Sequence, residues 1–536
     1  MALRASLELA RLGKAIPIHP HRPLTGLLVE LPWCSHIRIL LVRSRSPPDP
    51  GRFIASVSAL NLALPDLAIS LGADNTALTW IADGYTVALA ALVLPLGAVG
   101  DRIGRRSVLI VGAIVFGGAS LAAAYADTTS TLIAARVVMG VGAAMIMPGT
   151  LSTITATFPP EQRSRGVAIW SGFAAAGAII GMLVAGSLLE RWGWESIFIT
   201  SAVVGVVAAV AAAALAPNTR DRDPQRFDVI GALATSIAIG TLVFAIIEGN
   251  DRGWTTLPVL ICAGVCVLGF VVYAVQGTRT QHPLLDPQLF GLSGFRAGAI
   301  VVLTQFMAIF GFFFVGLQYL QLILDYSPLL AAIALIPVAA VVMPTATVTP
   351  RLVSWVGLKY VMAAGLALIA VGLLWISRLH VDSGYAPFLG GLIVAGLGIG
   401  VASSTGTSAI VGSLTRDHQG VASAMNCTTR EVGSAVGIAI MGSVFSSHYS
   451  NHLPDLTTLP AQAADAVRDS AAGGLAAAEQ LGGPPGAQLG AAVRGAFIDG
   501  MSASMISVAV VLFVAALGCA LKAPRQQPDS DVTDNR

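Results

Sequence analysis

Four charged side chains stand where an apolar chain has least use for charge. Arg430 and Glu431 interrupt the run 421–447 about nine residues in, Arg136 interrupts 131–151, and Asp83 lies in 77–100 beside Trp80 and Tyr85. At 1.5 Å of rise per helical residue the Arg430–Glu431 pair is roughly 13 Å inside its run, close to the centre of a bilayer. A carboxylate there can bind protons or cations, and an arginine at such depth costs roughly 2.5–3.5 kcal/mol on insertion scales. Neighbouring helical positions point about 100° apart, so Arg430 and Glu431 face different partners. Each residue also has a structural reading. For Arg430 and Glu431 it is an ion pair with another helix, for Arg136 snorkelling to the outer interface, and for Asp83 a solvated acid in an aromatic belt. Asp66 and Glu248 lie nearer the ends of their runs, where an interfacial acid is the expectation.

The elements that must position these groups are membrane spans. The 536 residues are 55% hydrophobic and 11% charged, against roughly a quarter charged in a soluble domain. Apolar runs near 53–71, 77–100, 107–126, 131–151, 165–189 and 196–216 form a first group of six. Runs near 227–248 and 256–276 make a central pair, and 297–320, 328–348, 357–377, 386–411, 421–447 and 497–521 a second six. About fourteen helices long enough for a hydrocarbon core of about 30 Å follow, an all-α integral membrane fold. The expected domains are 53–216, the pair within 227–276, and 297–521 with an external loop at 451–496, its alanine-rich part an exposed helix. A tail, 522–536, ends the chain.

Arg102, Arg105 and Arg106, then Arg163 and Arg165, then Arg220, Arg222 and Arg226 occupy every second connection. Positive-inside places those loops and both termini in the cytoplasm, with Arg191, Arg252 and Arg378 as exceptions. The scattered arginines form no basic face, so nucleic acid is not an expected partner. Five cysteines lack CxxC spacing and read as packing residues, the eight histidines form no metal or triad pattern, and no GxxxxGK[ST] loop is present. No metal, cofactor or enzymatic activity is expected. A channel would need a polar filter or a ring of equivalent charges, and the runs offer neither.

An internal echo links the two groups of six. "GDRIGRR" at 100–106 has a degenerate counterpart in "VSWVGLK" at 353–359, aligning Gly104 with Gly357 and Arg106 with Lys359. Repeats of this kind build alternating-access transporters around a midplane site. In "GAVGDRIGRRSVLI" (97–110) a tight turn needs Gly104, and the arginines suit the headgroups, but topology has no use for Asp101.

This loop resembles the signature between the second and third helices of the major facilitator superfamily. The resemblance implies two six-helix bundles and a cytoplasmic gating latch of Asp101, Arg102, Gly104, Arg105 and Arg106. "LNLALP" (60–65), "WIADGY" (80–85), "LIAARVVMGVGAAMIMPGTL" (132–151) and "TTREVGSAVG" (428–437) narrow it to the fourteen-span drug:proton antiporters. It implies export of amphipathic small molecules against protons, with Arg136 in the coupling motif of the fourth helix. Proton coupling or substrate binding is then expected of Arg136, Glu431, Arg430 and Asp83. Gly177, Gly181 and Gly186 resemble the fifth-helix packing motif, except that Met182 replaces its proline. Ser56 stands where many relatives carry an acid. Both departures put the usual coupling in question.

The expected partners are substrate, protons and lipid, for a monomer in the cell (inner) membrane. "FGFFFVGLQYL" (310–320) is a candidate pocket wall with core packing as its alternative. Export of one dedicated metabolite or antibiotic, and a non-transporting sensor that keeps the fold, remain as other readings. Residues 1–50, with "HPHRPLTG" and "RSRSPPDPG", lack periodicity and read as an N-terminal extension or a misassigned start. Under the second reading, N-terminal peptide mapping of protein from cells finds nothing from residues 1–40; recovery of those peptides rejects it.

Overall fold

The structure, a computed structural model, describes residues 51–157, 180–215, 227–280, 283, 287–413, 419–457 and 459–524. Residues 1–50 with Cys34, Gly177, the arginines 163, 165, 220, 222 and 226, and 525–536 lie outside it, as do the side chains of Ser56 and Asp101.

In hydrocarbon every backbone N–H and C=O must be satisfied within the chain, so long apolar runs become helices. The first six are α1 (Gly51–Ser70), α2 (Asn75–Ile103), α3 (Arg105–Ala124), α4 (Thr129–Thr157), α5 (Ile180–Leu189) and α6 (Glu195–Leu215). The central pair is α7 (Val229–Arg252) and α8 (Leu257–Arg279). There follow α9 (Ser293–Leu322), α10 (Pro328–Ala334), α11 (Ile336–Val356), α12 (Leu358–Ile376), α13 (Tyr385–Gly412) and α14 (Gln419–Asn451). Two short helices, α15 (Ala461–Asp469) and α16 (Ala471–Leu481), precede α17 (Gly483–Lys522). Among the described residues eleven segments are long and apolar enough to cross a membrane, α10 and α11 together forming one. With α1, α5 and α14 the number is about fourteen. The outer surface is apolar as well: Val210 is 63% exposed and Leu268 60%. Water would not tolerate such a belt, whereas lipid does.

Helix starts are fixed locally. The Asp74 carboxylate accepts from the Ala77 N–H at 2.6 Å, and Asp228 caps Gly231 at 2.8 Å. The run expected at 328–348 is broken at Leu335, where Pro337 lies in the first turn of α11 and cannot donate to a preceding turn.

The repeat is visible in the backbone. Gly104 separates α2 from α3 at φ 123°, and Gly357 separates α11 from α12 at φ 96°. Small residues then draw equivalent helices together: Gly112 and Gly142 join α3 to α4, and Gly365 and Gly398 join α12 to α13.

The two halves meet at the end of the bundle opposite these turns, the end that carries α15 and α16. There Gln321 Nε2 donates to the Leu62 carbonyl at 3.1 Å, and Ser327 Oγ donates to Glu190 at 2.6 Å. A Cβ on Gly186 would lie 2.7 Å from Leu329 Cα, and one on Gly442 would lie 2.6 Å from Thr79 Oγ1. The central pair is not a detached insertion. Ser236 Oγ donates to the Ala91 carbonyl of α2, and Ser443 Oγ of α14 to the Ile246 carbonyl, so α7 spans the α2–α14 seam. α8 packs on α7 through Gly269, sets Tyr273 against the cluster around Phe295, and turns most of its other side chains outward.

Residues 451–496 differ from the expected loop with an exposed helix. α15 and α16 fold back onto the bundle, burying Ala464, Val467, Ala471, Ala472, Ala477 and Ala478, while the Tyr449 hydroxyl donates to the Val467 carbonyl at 2.8 Å. Alanine and glycine allow this close packing. They also extend α17 back to Gly483, ahead of the expected start at 497.

The positive φ at Gly104 and Gly357 makes any side chain there strained by about 1–3 kcal/mol. Gly357→Ala and Gly104→Ala should each lower the Tm of detergent-purified protein, read by fluorescence-detected size-exclusion after heating. An unchanged Tm in both would contradict the turn assignment.

Candidate functional site

Three of the charged groups singled out in the sequence, Asp83, Arg136 and Glu431, lie where α2, α4 and α14 meet. Arg136 is completely buried, not snorkelled. Its Nε donates to the Ile81 carbonyl at 3.0 Å and its Nη2 to the Ala82 carbonyl at 3.2 Å. The guanidinium carbon lies 4.8 Å from the Tyr85 ring centroid, a cation–π contact made strong by exclusion of water. Gly140 makes this approach possible, since a Cβ there would lie 2.3 Å from the Tyr85 carbonyl oxygen.

Asp83, on the same turn of α2, is also completely buried, which removes the solvated-acid reading. Neither carboxylate oxygen accepts a hydrogen bond among the described residues. Glu431 is 9% exposed on α14, near Tyr85 across the seam and within the field of Arg430 beside it. It forms no ion pair within 4 Å among the described residues, so the structural ion-pair reading has no support here. Arg430 turns the other way, its guanidinium carbon 4.5 Å from the Phe306 ring centroid of α9.

The acids nearer the run ends divide. Asp66 is exposed, as an interfacial acid should be. Glu248 is buried: it accepts from Trp80 Nε1 at 2.8 Å and pairs with Arg252 one turn on. Trp80 thus ties α2 to α7, a role its place in "WIADGY" left indistinguishable from an aromatic belt.

In the signature loop, Arg106 donates to the Ala213 carbonyl at the end of α6, and the Arg102 guanidinium lies 5.7 Å from the Phe227 ring centroid. These described contacts stay within the first half and its following segment. The glycine motif is represented by Gly181, which is half-buried, and Gly186, which abuts α10.

An apolar cavity of about 330 Å³ lies among α5 and helices of the second half, apart from the charged cluster. Phe312 and Phe313, from the stretch proposed as a pocket wall, line it with Val338, Leu373 and Leu392, and Met182 reaches in from α5. Tyr319 and Leu320 of the same stretch are buried in the core instead. The residue in the place of the motif's proline is therefore a flexible, polarizable part of the cavity wall.

Two helical halves, a glycine-hinged repeat and buried charges at their seam define a membrane transporter, not an enzyme. The family model for the Major Facilitator Superfamily matches residues 53–438, and the chain belongs to that superfamily. It is 30% identical over 460 residues to the multidrug efflux pump LfrA of Mycolicibacterium smegmatis, covering 86% of this chain and 91% of that protein. It is 31% identical over 465 residues to the methyl viologen resistance protein SmvA of Salmonella typhimurium, covering 86% and 93%. The tetracenomycin C resistance and export protein of Streptomyces glaucescens is 29% identical over 520 residues, covering 95% and 94%. A crystal structure of a bacterial homologue of the lysosomal transporter Spinster superposes with a TM-score of 0.62 at 15% identity, covering 92% of this chain and 97% of that one.

Lysine cannot span both carbonyls while stacking on Tyr85, because it lacks the planar fork. Arg136→Lys should therefore lower the Tm and reduce drug efflux about tenfold, the loss expected from a broken charged hydrogen bond. Dye-efflux rates normalised to membrane expression measure it; wild-type efflux in the variant would contradict the geometry.

Proposed function

We propose that this transporter exports amphipathic small molecules, drugs among them, by proton antiport through alternating access. The observation that carries the reading is the placement of Asp83 and Glu431 in opposite halves of one seam, both buried and neither held in an ion pair among the described residues. A carboxyl shut away from water is cheaper neutral than charged. Protonation therefore favours the closed seam, and loss of the proton favours its opening. Arg136 keeps a fixed positive charge and the Tyr85 ring between the two acids.

The named activities of LfrA, SmvA and the Streptomyces glaucescens protein support a drug-efflux role. The apolar cavity supports substrates recognised by shape and burial more than by a fixed hydrogen-bond set. Arginine placement supports an inner-membrane orientation with both termini cytoplasmic. In this reading Asp101, Arg102, Gly104, Arg105 and Arg106 form the cytoplasmic latch, remade when the halves rock the other way. Gly177, Gly181 and Gly186 let α5 approach the second half, and the unit of transport is the monomer. Glu431 and Asp83 carry protons, and Arg430 faces substrate.

The test is proton flux in energised inverted vesicles. Adding lipophilic cations and neutral drugs should dequench a ΔpH dye in wild type, and Glu431→Gln should abolish the response. An identical response in the variant would move the coupling acid to Asp83. Silence in correctly inserted wild type would sink broad proton-coupled export and favour a single dedicated substrate or a sensor.

A further inference from the structure

Arg430 is a cation that makes no ion-pair contact within 4 Å among the described residues. Its Nε is buried and takes no hydrogen-bond partner among them. The side chain as a whole is only half-buried. Glu431 is adjacent in sequence but directed about 100° away, towards α2.

The surroundings of this cation are organised. One turn before it, Asn426 Oδ1 accepts from Thr407 Oγ1 of α13 at 3.4 Å, which leaves the Asn426 amide N–H groups free. One turn before Thr407, Ser403 accepts from Gln305 Nε2 of α9 and keeps its own hydroxyl proton to donate. All three of Ser403, Thr407 and Asn426 are half-buried, like Arg430. Beneath the guanidinium, Phe306 begins a ladder along one face of α9: Phe306 and Phe310 stack with centroids 6.2 Å apart, and Phe310 meets Phe313 edge-on at 6.1 Å. Phe313 lines the apolar cavity.

A cation with donors at one end, flat rings along the side and an apolar chamber at the other end match one kind of molecule. We propose that Arg430, Asn426 and Ser403 form an anion subsite that receives the carboxylate, or a comparable delocalised anion, of aromatic substrates whose ring system lies along Phe306 and Phe310. The inference deepens the export reading given above and rests on it for the word substrate. Guanidinium pairs with carboxylate through a planar fork, and its π-face is already occupied by Phe306, so the anion approaches in the plane.

Three probes of one shape test it: naphthoate, its methyl ester and the naphthylmethyl-trimethylammonium ion, each titrated calorimetrically into full-length protein in lipid nanodiscs. Wild type should bind naphthoate about tenfold more tightly than the ester, a charged hydrogen bond's worth of affinity. Arg430→Gln should erase that preference, and Arg430→Lys should retain part of it, which guards against a folding defect in the first variant. Equal affinity for naphthoate and ester in wild type, or a preference that survives in Arg430→Gln, would overturn the proposal. The two readings fail separately. Proton-coupled flux of the ester and ammonium probes without any naphthoate preference removes the anion subsite and leaves export standing. An Arg430-dependent naphthoate preference without proton flux does the reverse.

Discussion

A guanidinium inside hydrocarbon must be held by acceptors, and the way Arg136 is held organises the rest of this molecule. Its two bonds go to backbone carbonyls of α2, so α4 is fastened to α2 by a contact that no change of side chain on α2 can remove. The same guanidinium stacks on the Tyr85 ring, and Tyr85 lies across the seam from Glu431. Asp83 is held in the same buried turn. A cost of a few kcal/mol for burying one arginine thereby fixes the turn of α2 that carries Asp83.

The seam itself is closed by absence of side chain more than by attraction. Gly186 and Gly442 let elements of opposite halves touch at backbone distance, an arrangement suited to surfaces that must separate again. α7 adds a third party, bonded to α2 through Ser236 and to α14 through Ser443. Any rocking of the halves must break one of those bonds or carry α7 with it. The central pair is thus mechanically coupled to the seam.

Much of this was legible in the residues. Period and length marked the helices, and the echo between 100–106 and 353–359 identified two glycine turns that the backbone then shows with positive φ. Arg136, Asp83, Arg430 and Glu431 stood out because charge is costly in apolar runs. The direction of each side chain was not legible, because a helix carries its residues on all sides and only packing selects a face. Asp83 and Glu248 both read as interfacial acids, yet one is buried without a hydrogen-bond partner and the other is bonded to Trp80. Met182 read as a missing proline and is a cavity wall. The hairpin of α15 and α16 was hidden because helices of nine and eleven residues are too short to read as spans, while their alanines and glycines still pack closely.

The central claim is that the protonation of Asp83 and Glu431 sets whether the seam is closed. Spin labels on Arg191→Cys and Asp382→Cys, exposed positions in the two halves at the closed end, report the separation by double electron–electron resonance in a background lacking the native cysteines. The account predicts a short distance in acidic buffer, a growing long-distance population in alkaline buffer, and a pH-independent short distance once Asp83→Asn and Glu431→Gln are combined. A distance distribution that ignores pH in the parent, or that shifts equally in the double variant, would contradict it.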